Sequence, residues 1–300
     1  TIQFSISTHR GCYGECNFCA IAVHEGRTIR SRSEESILEE AHSFLNHPDF
    51  KGVIPDLGGP TANMFGFDCP KRRKSGSCRD KRCLIPGVCP ALKIDHHPQI
   101  SLLRKLRSIP GIKHVFVASG IRYDMIVNDS KSGRQYLRQI LAHHISGQLK
   151  IAPEHSEQNV LKLMGKPGLS SLEQFSQWFH QINHELGKEQ YLTYYLIAAH
   201  PGCTSMDMRS LRRYAAKTLG AIPEQVQIFT PTPSTYSSVM YYTGMDPFTL
   251  QPVFVEKNLK RKNHQKLILT GKPPRKSAPT YKSRSSKAYQ TIPGHQTRRK

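Results

Sequence analysis

Cys12-Tyr13-Gly14-Glu15-Cys16-Asn17-Phe18-Cys19 places three thiols within eight residues, spaced C-x3-C-x2-C. The stretch follows an alternating segment, Ile2, Phe4 and Ile6, that reads as a strand. Three cysteines on one short loop can wrap three corners of a cubane [4Fe-4S] cluster, because thiolates are the ligands such clusters take. The fourth iron would then have no protein ligand and stay open to a small molecule that chelates through nitrogen and oxygen. A zinc knuckle is a second reading, but zinc closes its shell with four ligands, and the nearest fourth candidates are His9 and His24. A disulfide pair with a spare thiol is a third, and it needs an oxidising compartment for which the sequence carries no signal. Spacing alone leaves all three open.

Three hundred residues at 37% hydrophobic content suffice for one large core or two modest ones. No run of about 20 apolar residues is present to span a membrane, and no charged-then-apolar leader opens the chain. The chain begins at Thr1 without Met and enters its first strand almost at once. A fragment lacking its N-terminal region is the expectation, and the cytoplasm, where thiols stay reduced, is the expected compartment.

The net charge of +21 is unevenly spread, with fourteen Lys or Arg against one acid between Glu256 and Lys300. That stretch is rich in Ser, Thr, Pro and Gly and poor in apolar residues, so residues 256–300 read as a disordered basic tail. Such a tail is either a solvated extension or a tether for nucleic acid, whose affinity would fall steeply with salt.

Strand-like and helix-like segments alternate through residues 1–255. Ser33 precedes Glu34 and Glu35 and the 3.6-period set Ile37, Leu38, Ala41, Phe44 and Leu45, a helix with its cap. Strands are expected at 52–57, 115–118, 149–152, 191–198 and 226–229, and helices at 100–106, 132–145, 157–164, 171–186 and 205–219. Six strand-helix alternations imply a parallel α/β sheet with helices outside. The expected fold is a partial (β/α)6 barrel of the TIM type, with residues 61–98 inserted after the second strand.

Chemistry in such barrels gathers where strands end, so the residues after each strand carry the reading. The second strand runs into Gly58-Gly59-Pro60-Thr61, the third into Ser119-Gly120-Ile121-Arg122-Tyr123-Asp124 and the fourth into Ala152-Pro153-Glu154-His155-Ser156. The fifth ends in His200-Pro201-Gly202-Cys203-Thr204, and the sixth in Thr230-Pro231-Thr232-Pro233-Ser234-Thr235. The three-cysteine loop with Phe18 before its last thiol resembles the radical S-adenosylmethionine (SAM) signature. With the turns after strands two, four, five and six, the chain looks most like the YgiQ-type, methylthiotransferase-like radical SAM proteins over about residues 3–255.

That resemblance implies a [4Fe-4S] cluster on Cys12, Cys16 and Cys19, with SAM on its open iron. Phe18, Gly58, Gly59, Pro60, Ser119, Arg122 and Glu154 are then the expected cofactor-binding residues, and His155 is expected to be structural. Cys203 stands where the family has an acid, so no binding role is carried onto it. The implied reaction is reductive cleavage of SAM to a 5′-deoxyadenosyl radical, with electrons from a donor such as flavodoxin or ferredoxin. These motifs name a cofactor and no substrate. Two alternatives stand beside this reading: an RNA-modifying enzyme of the methylthiotransferase kind, and a non-catalytic, zinc-stabilised nucleic-acid-binding protein.

Cys69, Cys78, Cys83 and Cys89, spaced C-x8-C-x4-C-x5-C, form a second set inside the insertion. Lys71, Arg72, Arg73, Lys74, Arg79, Lys81 and Arg82 surround them, and such cations stabilise thiolates. Structural zinc, an auxiliary iron-sulfur cluster and free or occasionally oxidised thiols all fit, and a connection this long without regular structure calls for a staple.

Overall fold

A computed structural model describes residues 2–220 and 226–271. Its strands are β1 (Ile6–Ser7), β2 (His9–Arg10), β3 (Arg30–Ser31), β4 (Val53–Ile54), β5 (Leu57–Gly58), β6 (His114–Val115), β7 (Gln148–Glu154), β8 (Tyr191–Ala198) and β9 (Val226–Ile228). β1 pairs with β5, β4 with β6, and β7, β8 and β9 with one another in that order, all parallel. Hydrogen bonds from Leu57 N to Phe116 O (2.8 Å) and from Phe116 N to Ile54 O (2.9 Å) join the second segment to the third. An isolated bridge between Ile121 and Ile151 joins the third to the fourth. Six parallel segments therefore follow one another in chain order, as βαβ connectivity requires.

Helices return the chain between segments: Glu34–Leu45, His97–Ser108, Gly133–His143, Gln158–Met164, Ser170–Leu186 and Ser205–Tyr214. Their ends follow from local chemistry. Ser33 accepts Ser36 N–H at 3.2 Å to start the first, and Thr204 forms a capping box with Asp207 to start the last. Ile6, Ile54, Leu57, Val115, Leu149 and Ile151 from the sheet meet Ile37, Leu103, Leu106, Ile140, Phe175 and Phe179 from the helices in one buried cluster. Each such side chain contributes about 1.5–3 kcal/mol by leaving water.

Five strand spacings of about 4.8 Å would hold the first and sixth segments of a flat sheet some 24 Å apart. Yet Asn17, after the first, donates from Nδ2 to Leu163 O at 2.8 Å and accepts Ser237 N–H at 2.8 Å beyond the sixth. The sheet is curled. It is also open, for among the described residues no ladder returns from β9 to β1.

Several expectations need correction. Residues 2–5 form a turn, Ser5 N to Ile2 O, in place of the strand read from Ile2, Phe4 and Ile6. Phe4 satisfies its apolar character by packing on Phe44 and Phe50, at 5.3 and 5.1 Å between ring centroids. The helix expected over 205–219 changes at Ala215–Leu219 to a π-helical turn. The insertion contains a helix, Pro70–Ser75.

The basic tail expected from residue 256 starts with a helix, Leu259–Thr270, packed on helix Ser205–Tyr214 and on β9. Polar burial holds it there. Lys262 Nζ lies 3.0 Å from Tyr241 Oη and 4.4 Å from that ring's centroid. The rest of the tail, 272–300, lies outside the described residues. Among the described residues no helix is long and apolar enough to cross a membrane.

Candidate cluster and cofactor site

The three-cysteine loop is clasped at its base by antiparallel pairing of β2 with β3, His9 opposite Ser31 and Arg10 opposite Arg30. Gly11 begins it at φ +87°, where a Cβ would stand 2.3 Å from Thr28 O. Only glycine fits this position. Helix Ile21–His24 follows the loop, so backbone on both sides holds the thiols.

Cys12, Cys16 and Cys19 are all free and half-buried. Cys12 Sγ takes the Gly14 N–H at 3.3 Å and lies 3.5 Å from Thr61 Oγ1, beyond the glycine-rich turn. Cys16 Sγ takes a donor from Arg122 Nη1 at 3.6 Å. Arg122 is buried, and Asp124 grips its Nε at 2.9 Å and its Nη2 at 2.5 Å. A Cβ on Gly14 would stand 2.7 Å from Arg122 Nη1, so the glycine makes room for the guanidinium. Burial raises the Cys12 thiol and pushes Cys19 up to about 11. The cationic Arg122 works against this burial at Cys12.

Among the described residues no three His, Cys, Asp or Glu side chains are arranged to hold one metal ion. A zinc knuckle needs its sulfurs about 2.3 Å from a common centre. In a cluster each cysteine takes a different iron, which sets the sulfurs wider apart. The donor set here is three soft sulfurs with a buried guanidinium against one of them, the ligand type that iron-sulfur clusters take.

The expected cofactor residues divide into two groups around this loop. Phe18 and Glu154 line one cavity of about 350 Å³, with Tyr195, Phe229 and Thr230. Phe18 is set edge-on to His200 at 6.1 Å, and His200 is fixed through Ser237 Oγ at 2.6 Å. Glu154 adopts φ 72°, and burial pushes its carboxyl up while Lys166 and Arg122 pull it down.

Gly58, Gly59, Pro60 and Ser119 gather at the ends of the second and third segments. Gly58 O accepts from Thr8 N at 2.6 Å and from Thr8 Oγ1 at 3.1 Å. A Cβ on Gly59 would lie 2.6 Å from His9 Nε2. Ser119 Oγ is bonded to Asp56 Oδ2, and Asp56 Oδ1 takes its N–H at 3.0 Å. Ser119 and Arg122 thus meet carboxylates of this chain, Asp56 and Asp124.

His155 is buried, accepts Glu157 N–H at Nδ1 (3.0 Å) and lies 3.5 Å from Cys203 Sγ. Burial lowers it to about 4 and raises Cys203 to about 12. Sequence reasoning missed Asp56, Thr61 and Asn17. Asp56 and Thr61 flank the glycine turn, and Asn17 sits inside the cysteine motif, so their positions were the available signal.

In the insertion Cys69 and Cys83 are buried and Cys78 and Cys89 half-buried, none of them in a disulfide. All four border one cavity of about 250 Å³.

A family model described as a domain of unknown function, DUF3362, matches residues 224–277. A UPF0313 protein of Fusobacterium nucleatum is 60% identical over 272 residues, which is 91% of this chain and 48% of that protein. A UPF0313 protein of Methanosarcina acetivorans is 50% identical over 268 residues, 89% of this chain and 35% of that protein. The chain thus spans about half, or less, of these curated relatives. A structure of the cobalamin-dependent S-adenosylmethionine radical enzyme OxsB, with aqua-cobalamin bound, superposes at TM-score 0.50 and 15% identity, covering 78% of this chain and 29% of that one. Likeness at that identity concerns the fold, and the described chain shares the fold of part of that radical SAM enzyme.

Proposed function

We propose that this chain is the core of a radical SAM enzyme, a partial (β/α)6 barrel in which Cys12, Cys16 and Cys19 hold a [4Fe-4S] cluster. The observation that carries this reading is the thiol loop itself. Three free sulfurs stand where the first strand ends, and Arg122, from beyond the third strand, donates to one of them. The shared fold supports the same conclusion.

A cluster held by Cys12, Cys16 and Cys19 would supply, when reduced, the electron for reductive cleavage of SAM. The chain's residues bind and shield. Gly58, Gly59 and Pro60 offer backbone at close range, and Phe18 and Glu154 offer an apolar face and a carboxylate in one cavity. Arg122 places positive charge against the Cys16 sulfur. Ser119 and Arg122 order this end of the sheet through Asp56 and Asp124 and complete the set around the cofactor. A small electron-transfer protein of the flavodoxin or ferredoxin kind is the partner this chemistry needs.

Anaerobic purification followed by electron paramagnetic resonance of the reduced protein tests the reading. A [4Fe-4S] signal that shifts when SAM is added is the expected result. SAM cleavage under dithionite that persists in Cys16→Ala would overturn it.

A further inference from the structure

The cavity bordered by Cys69, Cys78, Cys83 and Cys89 has no part in the function proposed above. Its walls carry an unusual charge. Arg72, on helix Pro70–Ser75, also lines it, and its side chain is 0% exposed. None of Nε, Nη1 or Nη2 has a hydrogen-bond partner.

The carboxylate that faces Arg72 is Glu15, 3.7 Å from Nη2, and Glu15 also pairs with Arg27. One carboxylate shared by two guanidiniums leaves positive charge in a buried place. Burying a cation without full pairing is strongly unfavourable, because the lost hydration is not repaid. An anionic group that accepts hydrogen bonds inside the cavity would remove that cost.

Four thiolates around an inorganic centre are such a group. A single zinc ion needs sulfurs about 2.3 Å away on all sides, a centre much smaller than the space these four cysteines border. The cysteines stand around about 250 Å³ of space, many times the ~10–15 Å³ that admits one water-sized sphere. Iron-sulfur clusters take four cysteines, fill such a space with iron and sulfide, and accept hydrogen bonds at sulfur. Cys69-Pro70 and Cys89-Pro90 match the Cys-Pro pairs of ferredoxin loops.

We propose that Cys69, Cys78, Cys83 and Cys89 ligate a second iron-sulfur cluster, toward which Arg72 directs its unused N–H groups. Tyr13, from the three-cysteine loop, packs in the same buried cluster as Cys69 and Cys83, with Arg72 5.4 Å above its ring. The second site is therefore built against the first. It stands on different ligands and does not rest on the radical SAM reading.

The test is metal analysis of the full chain carrying Cys12→Ser, Cys16→Ser and Cys19→Ser together, purified and reconstituted without oxygen. About two or about four irons per chain with equal sulfide, and a brown protein, are expected. Stoichiometric zinc without iron, or no iron in a folded protein, overturns the proposal.

Should the triple variant fail to fold, the unaltered chain and Cys83→Ser decide. Iron in Cys83→Ser should fall by one cluster's share, and equal iron in both overturns the proposal. Arg72→Met should lower the midpoint potential of the cluster left in the triple variant, because a cation stabilises the more negative reduced form. An unchanged potential removes Arg72 from the site. Iron surviving the triple substitution says nothing against the first cluster, whose own test is the SAM-dependent shift of the spectrum.

Discussion

Arg122 reaches Cys16 across 3.6 Å with one nitrogen while Asp124 holds its other two. The guanidinium is thus oriented before any cofactor arrives, and its charge is balanced in a buried place. Arg122→Met would strand the Asp124 carboxylate, which the guanidinium now holds below the usual range against the cost of burial. A loss of about 3–5 kcal/mol in chemical denaturation is expected. Arg122→Met with Asp124→Leu should recover most of that stability, since an apolar pair can replace a buried ion pair. Neither variant should retain SAM cleavage at the level of the unaltered protein. Full cleavage in the stable double variant would show that Arg122 only supports the fold.

Asn17 ties the thiol loop to the far side of the curled sheet, through Leu163 O and through Ser237 N–H. Its side-chain bond spans 146 positions in sequence. Asn17→Ala should cost about 1 kcal/mol for the lost hydrogen bond, and more in function than in stability. Iron bound after reconstitution should drop while the melting midpoint barely moves. Iron at the original level would mean that backbone contacts alone hold the loop.

Much of the sheet was legible because the inner segments are short apolar runs broken by turn residues. Val53-Ile54, Leu149-Lys150-Ile151 and the run from Tyr191 to Ala198 show it. The thiol loop was legible because three cysteines in eight residues have few structural uses. Charge partners were not, because Asp56 with Ser119, Asp124 with Arg122 and Glu15 with Arg72 lie across loops or look like ordinary surface charge. Helix Leu259–Thr270 was read as disordered for a physical reason. Its buried face is Lys262, Gln265 and Leu269, only one of them apolar, so hydrophobic periodicity has almost nothing to register.

Gln265 is the test of that helix. It donates from Nε2 to Cys203 O at 3.1 Å and accepts Ala199 N–H at Oε1 at 2.9 Å, fastening the turn after β8. Gln265→Leu leaves both backbone groups buried without a partner, at about 1–3 kcal/mol each. Denaturant unfolding should show a loss of about 2–6 kcal/mol. A change under 1 kcal/mol would mean that the helix is only loosely docked.

Acid should weaken the fold through histidines held neutral, and His144 is the clearest case because it lies away from the proposed ligands. It is fully buried, donates from Nδ1 to Val115 O at 2.7 Å and receives Gln139 Nε2 at 3.3 Å. Burial lowers it to about 4 from an ordinary 6.5. Above pH 6.5 both folded and unfolded chains carry the neutral ring, and His144 adds no pH dependence. Between 6.5 and 4 the unfolded chain binds the proton and the folded chain does not, so stability falls as pH falls. The slope is about 1.4 kcal/mol per pH unit for one proton. His9, His155 and His200, lowered to about 4, 4 and 3 by burial, act in the same sense. Denaturation followed from pH 7 to 4.5 should therefore show a steep decline, and His144→Gln should reduce its slope by about one proton. An unchanged slope in that variant would mean that His144 is charged in the folded protein, in conflict with the donor its Nε2 receives from Gln139.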